Sequence, residues 1–114
     1  MDDTVKEAKT TGRRPLAHRS AIVAELQAHA SAIRAQGVTS LALFGSRARG
    51  EERADSDLDV LIDYDSDRPF TLYDLARVER LLARLTGLKV HVATSDAFRP
   101  HRLRRATKDA ISVF

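Results

Sequence analysis

The sequence predicts an α+β fold: a small mixed sheet of three strands or slightly more, flanked by helices, in the order α-β-β-α-β-α. Three observations predict it. Two short apolar runs, Leu41–Phe44 and Val60–Ile62, are separated by a polar connector, as two strands joined by a loop would be. Two longer segments carry apolar residues at helical spacing: Ile22, Leu26, Ala30 and Ile33 in one, Leu72, Leu75, Val78, Leu82 and Leu85 in the other. After the second of these, Leu88–Ala93 alternates apolar and polar residues, the pattern of a third strand.

In chain order, residues 1–14 lack apolar periodicity and are expected to form a flexible tail. Residues 15–114 are expected to form one domain, the usual outcome at a total length of 114. Pro15 suits a helix start, and Gly37 suits the end of a helix over 16–36. His18 and His29 in that helix have no third ligand near them in sequence and read as surface residues. Val38–Phe44 is the first strand. Leu58–Asp63 is the second, and its Val-Leu-Ile centre predicts cover on both faces. The loop from Tyr64 to Pro69 is turn-rich, and its acids read as solvated charge. Thr71 with Asp74 three residues on predicts a capping box, with Phe70 and Leu75 as a hydrophobic staple and Gly87 as the C-terminal cap. A last helix, capped by Ser95 or Asp96 and restarted near Pro100, is expected to run to about Ile111.

Composition narrows the function. With no cysteine, the chain has neither disulfides nor thiolate metal sites. No apolar run approaches the roughly 18 residues of a membrane span, and the N-terminus has no signal-peptide core, so a cytoplasmic protein is expected. The net charge of +3 is modest, with acids and bases interleaved except in the basic segment from Arg99 to Arg105. Direct nucleic-acid binding is therefore not expected. That segment reads as a solvated helix face, or as a patch for a phosphate-bearing ligand or an acidic partner.

The chemistry concentrates between Leu41 and Ile62. Asp57 and Asp59 are two apart at the mouth of a strand, so their side chains share a face and repel. A cation between them removes that cost, and oxygen ligands of this kind suit Mg²⁺ or Mn²⁺. Upstream, Gly45 lets the backbone approach a ligand closely. A short helix expected around Arg47–Glu52 would put free N–H groups near Ser46, where phosphate is favoured. Ser46 has no base beside it in sequence and reads as a phosphate ligand, not a nucleophile. Together these parts suit a nucleoside triphosphate and in-line attack by a hydroxyl.

The same residues resemble a known family. Gly45-Ser46-Arg47-Ala48-Arg49-Gly50, five residues, then Ser56-Asp57-Leu58-Asp59-Val60 is similar to the signature of the minimal nucleotidyltransferases of the DNA polymerase β-like superfamily. The resemblance extends from about Leu16 to Phe114 and implies an α/β-type nucleotidyltransferase core. It implies that ATP is bound with Mg²⁺, Mn²⁺ being an alternative, and that a nucleotidyl group passes to an acceptor hydroxyl. It implies Gly45 and Ser46 as triphosphate ligands and Asp57 and Asp59 as metal ligands. Arg47 and Arg49 become candidate phosphate contacts, against surface salt bridges with Glu51, Glu52 or Asp55. Many minimal members are antitoxins beside a HEPN-domain ribonuclease toxin, and some transfer AMP to a tyrosine on it. A homo-oligomer is left open.

One position departs from the pattern. The family tends to place a third carboxylate in a Val-Asp-Leu stretch, which here reads Val90-His91-Val92. A neutral imidazole brings no negative charge and matches Mg²⁺ poorly. His91 is then a candidate catalytic residue as general base, or a ligand to a softer metal such as Mn²⁺ or Zn²⁺. Otherwise Asp63 or Asp96 supplies the acid, or the site has decayed and the chain neutralises its partner by binding alone. An antibiotic-modifying or nucleic-acid-tailing transferase would need substrate-binding structure for which the chain has little room.

Overall fold

In a computed structural model, residues 14–114 are described. The flexible tail expected over 1–14 lies outside them, Arg14 excepted. Helices α1 (Arg19–Ala28) and α2 (Ala30–Arg34) lead into β1 (Val38–Phe44). A short helix α3 (Gly45–Arg49) and a loop connect to β2 (Leu58–Tyr64). Helix α4 (Leu72–Thr86) crosses to β3 (Val90–Thr94). A 3-10 turn (Ser95–Ala97), helix α5 (Pro100–Thr107) and strand β4 (Ile111–Ser112) complete the chain. The sheet order is β3-β2-β1-β4, with β1 antiparallel to β2 and β4, and β2 parallel to β3.

The mixed sheet is the expected one with a fourth strand. Sequence periodicity misses β4 because two residues are too few to show alternation. The pairing is nevertheless firm: the Val113 N–H donates to the Leu41 carbonyl at 2.8 Å and the Leu41 N–H to that of Phe114 at 3.1 Å. The single helix expected over 16–36 is instead two helices hinged at His29, whose backbone lies outside the helical region at φ −111°, ψ 22°. Pro15 does not start it. The Leu16 N–H donates to the Thr86 carbonyl at 2.9 Å, tying the segment before α1 to the end of α4.

Register divides the sheet into two unlike faces. Leu41 and Leu43 pair with Ile62 and Val60, Leu58 with Val90, and Val60 with Val92. With Ile22, Leu26, Ile33, Val78 and Leu82 the buried members of this set form the core. The alternate positions point the other way: Ala42 opposite Leu61, Phe44 opposite Asp59, and Asp59 opposite His91. That second face carries the charged residues. β2 is covered on both sides only through its centre, where Val60, Leu61 and Ile62 are buried.

Helix α4 forms as its sequence directs. Thr71 and Asp74 make the reciprocal capping box, and Gly87 closes the helix at φ 74°. Phe70, read as half of a staple with Leu75, also stacks on Tyr64, with ring centroids 4.6 Å apart. The buried stripe is narrower than expected. Val78 and Leu82 are inaccessible, whereas Leu72 is 82% exposed, because it is the first helical residue and points past the end of the sheet-facing stripe. Leu82→Ala should therefore lower unfolding free energy by about 2–5 kcal/mol, while Leu72→Ala stays within about 0.5 kcal/mol; denaturant titration of both separates the two environments.

Candidate functional site

The site is built where β1 ends. Gly45 follows the strand with φ 77°, a conformation that a side chain disfavours. Space forbids a side chain as well. A Cβ at residue 45 would stand 2.3 Å from Asp59 Oδ2 and 3.1 Å from its Cγ. The glycine thus brings the Gly45–Ser46 backbone directly against the Asp59 carboxylate. Ser46, half-buried, lies in the first turn of α3, and its carbonyl accepts from the Glu51 N–H at 2.9 Å.

On the other side of Asp59 the parallel register places His91. Its Nδ1 is 3.9 Å from Asp59 Oδ1, and its side chain is largely exposed. Asp57 is exposed and stands just before β2, near enough for its charge to act on Asp59. The Asp59 carboxyl is held above its ordinary pKa, chiefly by burial. Asp57 pushes it further up, while His91 and Arg49 pull it down. Desolvation and a like-charged neighbour outweigh the two basic groups, so this corner is short of positive charge.

The two arginines after Ser46 behave differently. Arg47, expected at phosphate, is only 3% exposed. Its Nε and Nη2 donate to the Ser56 carbonyl at 3.1 and 2.9 Å, and Nη2 to that of Arg53 at 3.4 Å. The guanidinium therefore fastens the loop that carries Asp57. Arg49 is exposed and its Nε donates to Glu51 Oε1 at 2.8 Å, the salt bridge weighed against a phosphate role. Its pKa is raised mainly by that bond, and more weakly by Asp109 and Asp59.

Asp63 and Asp96 do not join the corner. Asp63 is four residues beyond Asp59 along β2, about 13 Å, and accepts from the Ser40 and Ser95 hydroxyls. Asp96 accepts from the Tyr64 and Thr94 hydroxyls. The loop acids Asp65 and Asp67 are turn residues, Asp65 accepting from the Asp67 N–H at 2.9 Å. His29 is occupied locally, its Nδ1 3.0 Å from the Glu25 carbonyl, and His18 is exposed.

Sequence reasoning missed two supporting residues. Arg19 Nη1 donates to the Ala48 carbonyl and holds α3 against α1, and Glu79 Oε2 accepts from the Val92 N–H at 3.3 Å, bracing the edge strand that carries His91. Neither contact has a local signal, since each joins residues far apart in sequence.

Among the described residues no three His, Asp or Glu side chains are already gathered as a metal cluster. The two carboxylates nevertheless fit a hard divalent cation by donor type, and the uncompensated charge on Asp59 is what such an ion relieves. No helix among them is long and apolar enough to cross a membrane.

Comparison with known proteins identifies a family over most of the chain. Residues 26–113 match the model of the nucleotidyltransferase domain family. The protein adenylyltransferase MntA of Thermococcus cleftensis is 30% identical over 89 residues, 77% of this chain and 88% of that protein. A Methanocaldococcus jannaschii protein with the provisional name protein adenylyltransferase MJ1217 is 38% identical over 77 residues, 67% of this chain and 76% of its own. A solved structure provisionally described as a minimal nucleotidyltransferase superposes with a TM-score of 0.71 at 33% identity, over 83% of this chain and 95% of that one. A crystal structure of a toxin–antitoxin with AMP-PNP gives a TM-score of 0.63 at 14% identity, over 79% and 72% of the two chains, a likeness of fold.

Two outcomes test the geometry. Gly45→Ala should destabilise the fold by about 1–3 kcal/mol, and the cost should shrink in an Asp59→Gly background, a coupling that a double-mutant cycle measures. A carboxyl whose pKa is raised by folding binds more protons folded than unfolded, so its ionisation weakens the fold as pH climbs from the ordinary carboxylate value to the raised one. Asp59→Asn should therefore melt higher than the parent at neutral pH, and the gap should narrow as pH falls through the raised value and be closed below about 3.8.

Proposed function

We propose that the chain, which belongs to the nucleotidyltransferase domain family and within it to the minimal nucleotidyltransferases, transfers AMP from ATP to a hydroxyl, a tyrosine, of a partner protein, a HEPN ribonuclease toxin. The observation that carries this reading is the contact of Gly45 with Asp59. It sets a backbone free of side-chain bulk beside a desolvated carboxylate, so that a triphosphate on Gly45 and Ser46 has its charge next to the metal ligands. The MntA relative bears the name protein adenylyltransferase, which supports AMP as the group transferred. The toxin–antitoxin of the same fold is in keeping with an antitoxin role.

In this reading Gly45 and Ser46 hold the triphosphate, and Asp57 and Asp59 are the residues that would hold Mg²⁺ or Mn²⁺, which would offset triphosphate charge. The acceptor oxygen attacks the α-phosphorus in line. A P–O bond to the acceptor forms, the bond to pyrophosphate breaks, and pyrophosphate leaves. His91, in register with Asp59 and open to solvent, takes the hydroxyl proton. The resemblance to the minimal nucleotidyltransferases gives this position to a third carboxylate, and the proposed histidine takes over its proton-accepting part. Arg49 swings from Glu51 to phosphate, while Arg47 holds the Asp57 loop in place.

The test is transfer of label from α-labelled ATP to the purified toxin partner, followed by mass spectrometry of the modified residue. Asp57→Asn and Asp59→Asn should each lower transfer at least about a hundredfold. His91→Ala should lower the rate about 10²–10⁴-fold with little change in nucleotide affinity. If both Asp variants neutralise the toxin as well as the parent and no label moves, binding alone silences the partner and the transfer reading fails.

A further inference from the structure

Helix α5 and its flanks hold the chain's excess positive charge. Arg99, Arg102, Arg104, Arg105 and Lys108 lie within ten residues that contain no acid, and the remaining 14 Lys and Arg face 16 Asp and Glu. All five are exposed. Among the described residues none is in an ion pair, although Arg49, Arg68 and Arg77 each find a carboxylate. At about 100° per residue, Leu103, Ala106 and Thr107 fall on one side of the helix, and each is half-buried. Arg102, Arg104, Arg105 and Lys108 fan across the other. Interspersed charge normally finds partners on its own surface, and five cations within ten residues without a carboxylate partner are costly in self-repulsion.

The helix also stands beside the nucleotide corner. Phe98, just before it, packs edge-on against Phe44 with centroids 6.4 Å apart. Phe44 is paired with Asp59 and shares its face of the sheet. At the other end, Asp109 acts electrostatically on Arg49, and the two residues line one cavity of about 600 Å³.

We infer that α5 is the docking surface for an acidic segment of the acceptor protein, which it brings to the face carrying Asp59 and His91. The inference rests on the transfer reading above for its acceptor, but not for the surface itself. A protein occupant is favoured by the side chains present. Four of the five cations are arginines, whose planar fork suits carboxylate and phosphate alike, so the choice falls to what surrounds them. The helix offers no exposed aromatic on which a nucleic-acid base would stack: Phe98 is engaged by Phe44 on one side and lies 5.9 Å from the Arg102 guanidinium.

A fluorescent random copolymer of glutamate and tyrosine, with a lysine–tyrosine copolymer as control, probes the surface on the whole chain by anisotropy. The parent should bind the acidic polymer and lose about tenfold or more in affinity between about 50 and 300 mM salt. Arg102→Glu, Arg104→Glu and Arg105→Glu together should lose about tenfold or more at low salt, while the corresponding three Arg→Lys changes stay within about threefold and report on charge in a folded protein. Equal binding by the Glu variant overturns the inference. So does tighter binding of an RNA of about twenty nucleotides than of the acidic polymer, or a change in self-association by sedimentation as the main effect of charge reversal. AMP transfer to the polymer's tyrosines, read on the same samples, keeps the two ideas apart. Charge-dependent binding without transfer supports the docking surface and leaves the enzymatic reading to the toxin-partner assay above; transfer unaffected by reversal overturns the docking surface and supports the enzymatic reading.

Discussion

Gly45 and Asp59 occupy a space that admits no side chain at residue 45. The contact depends on two independent things: a left-handed backbone after β1, and the antiparallel register that sets Phe44 opposite Asp59. A one-residue slip of that register would turn Asp59 into the core and Val60 onto the open face. The slip is prevented by the core itself, because Leu41, Leu43, Val60 and Ile62 are all buried in the present register. Packing on the helix side of the sheet therefore positions chemistry on the other side.

The same arrangement stores an electrostatic cost. Asp59 is desolvated beside Asp57, and neither His91 nor Arg49 offsets that. A chain selected only for stability would carry a neutral residue there. The burial of Arg47 adds to the case. A buried guanidinium with its donors on two carbonyls of one loop fixes the loop's path, and Asp57 follows directly after the Ser56 carbonyl that receives two of those bonds. Two acids are thus held near each other by the Gly45 contact and the strand register on one side and an arginine brace on the other.

Much of this was legible in the sequence because the signals were local. The span of β1, the capping box of Thr71 and Asp74, and the left-handed glycines at 37 and 87 all follow from residues within a few positions of each other. What escaped depends on distant partners. β4 exists because Leu41 has free backbone groups on its outer edge, and the last residues of the chain reach them. Leu72 fits the helical period, yet at the first position of α4 it extends beyond the sheet. Arg47 and Arg49 look equivalent in sequence, but the 100°-per-residue turn of a helix sends one inward to the Ser56 carbonyl and the other outward to Glu51.

Strand direction explains why the corner ends with His91. β2 and β3 run parallel, so the start of one lies beside the start of the other, and Asp59 meets residue 91 and no other on that side. Asp63 points to the same face but sits at the far end of the strand, bonded to the Ser40 and Ser95 hydroxyls. Asp96 follows β3 and is bonded to Tyr64 there. Asp57, just before β2, is a carboxylate already near Asp59, and on the β3 side the position in register with Asp59 is 91. Under the transfer reading, an acceptor with an acidic segment is the kind that the unpaired cations of α5 would hold.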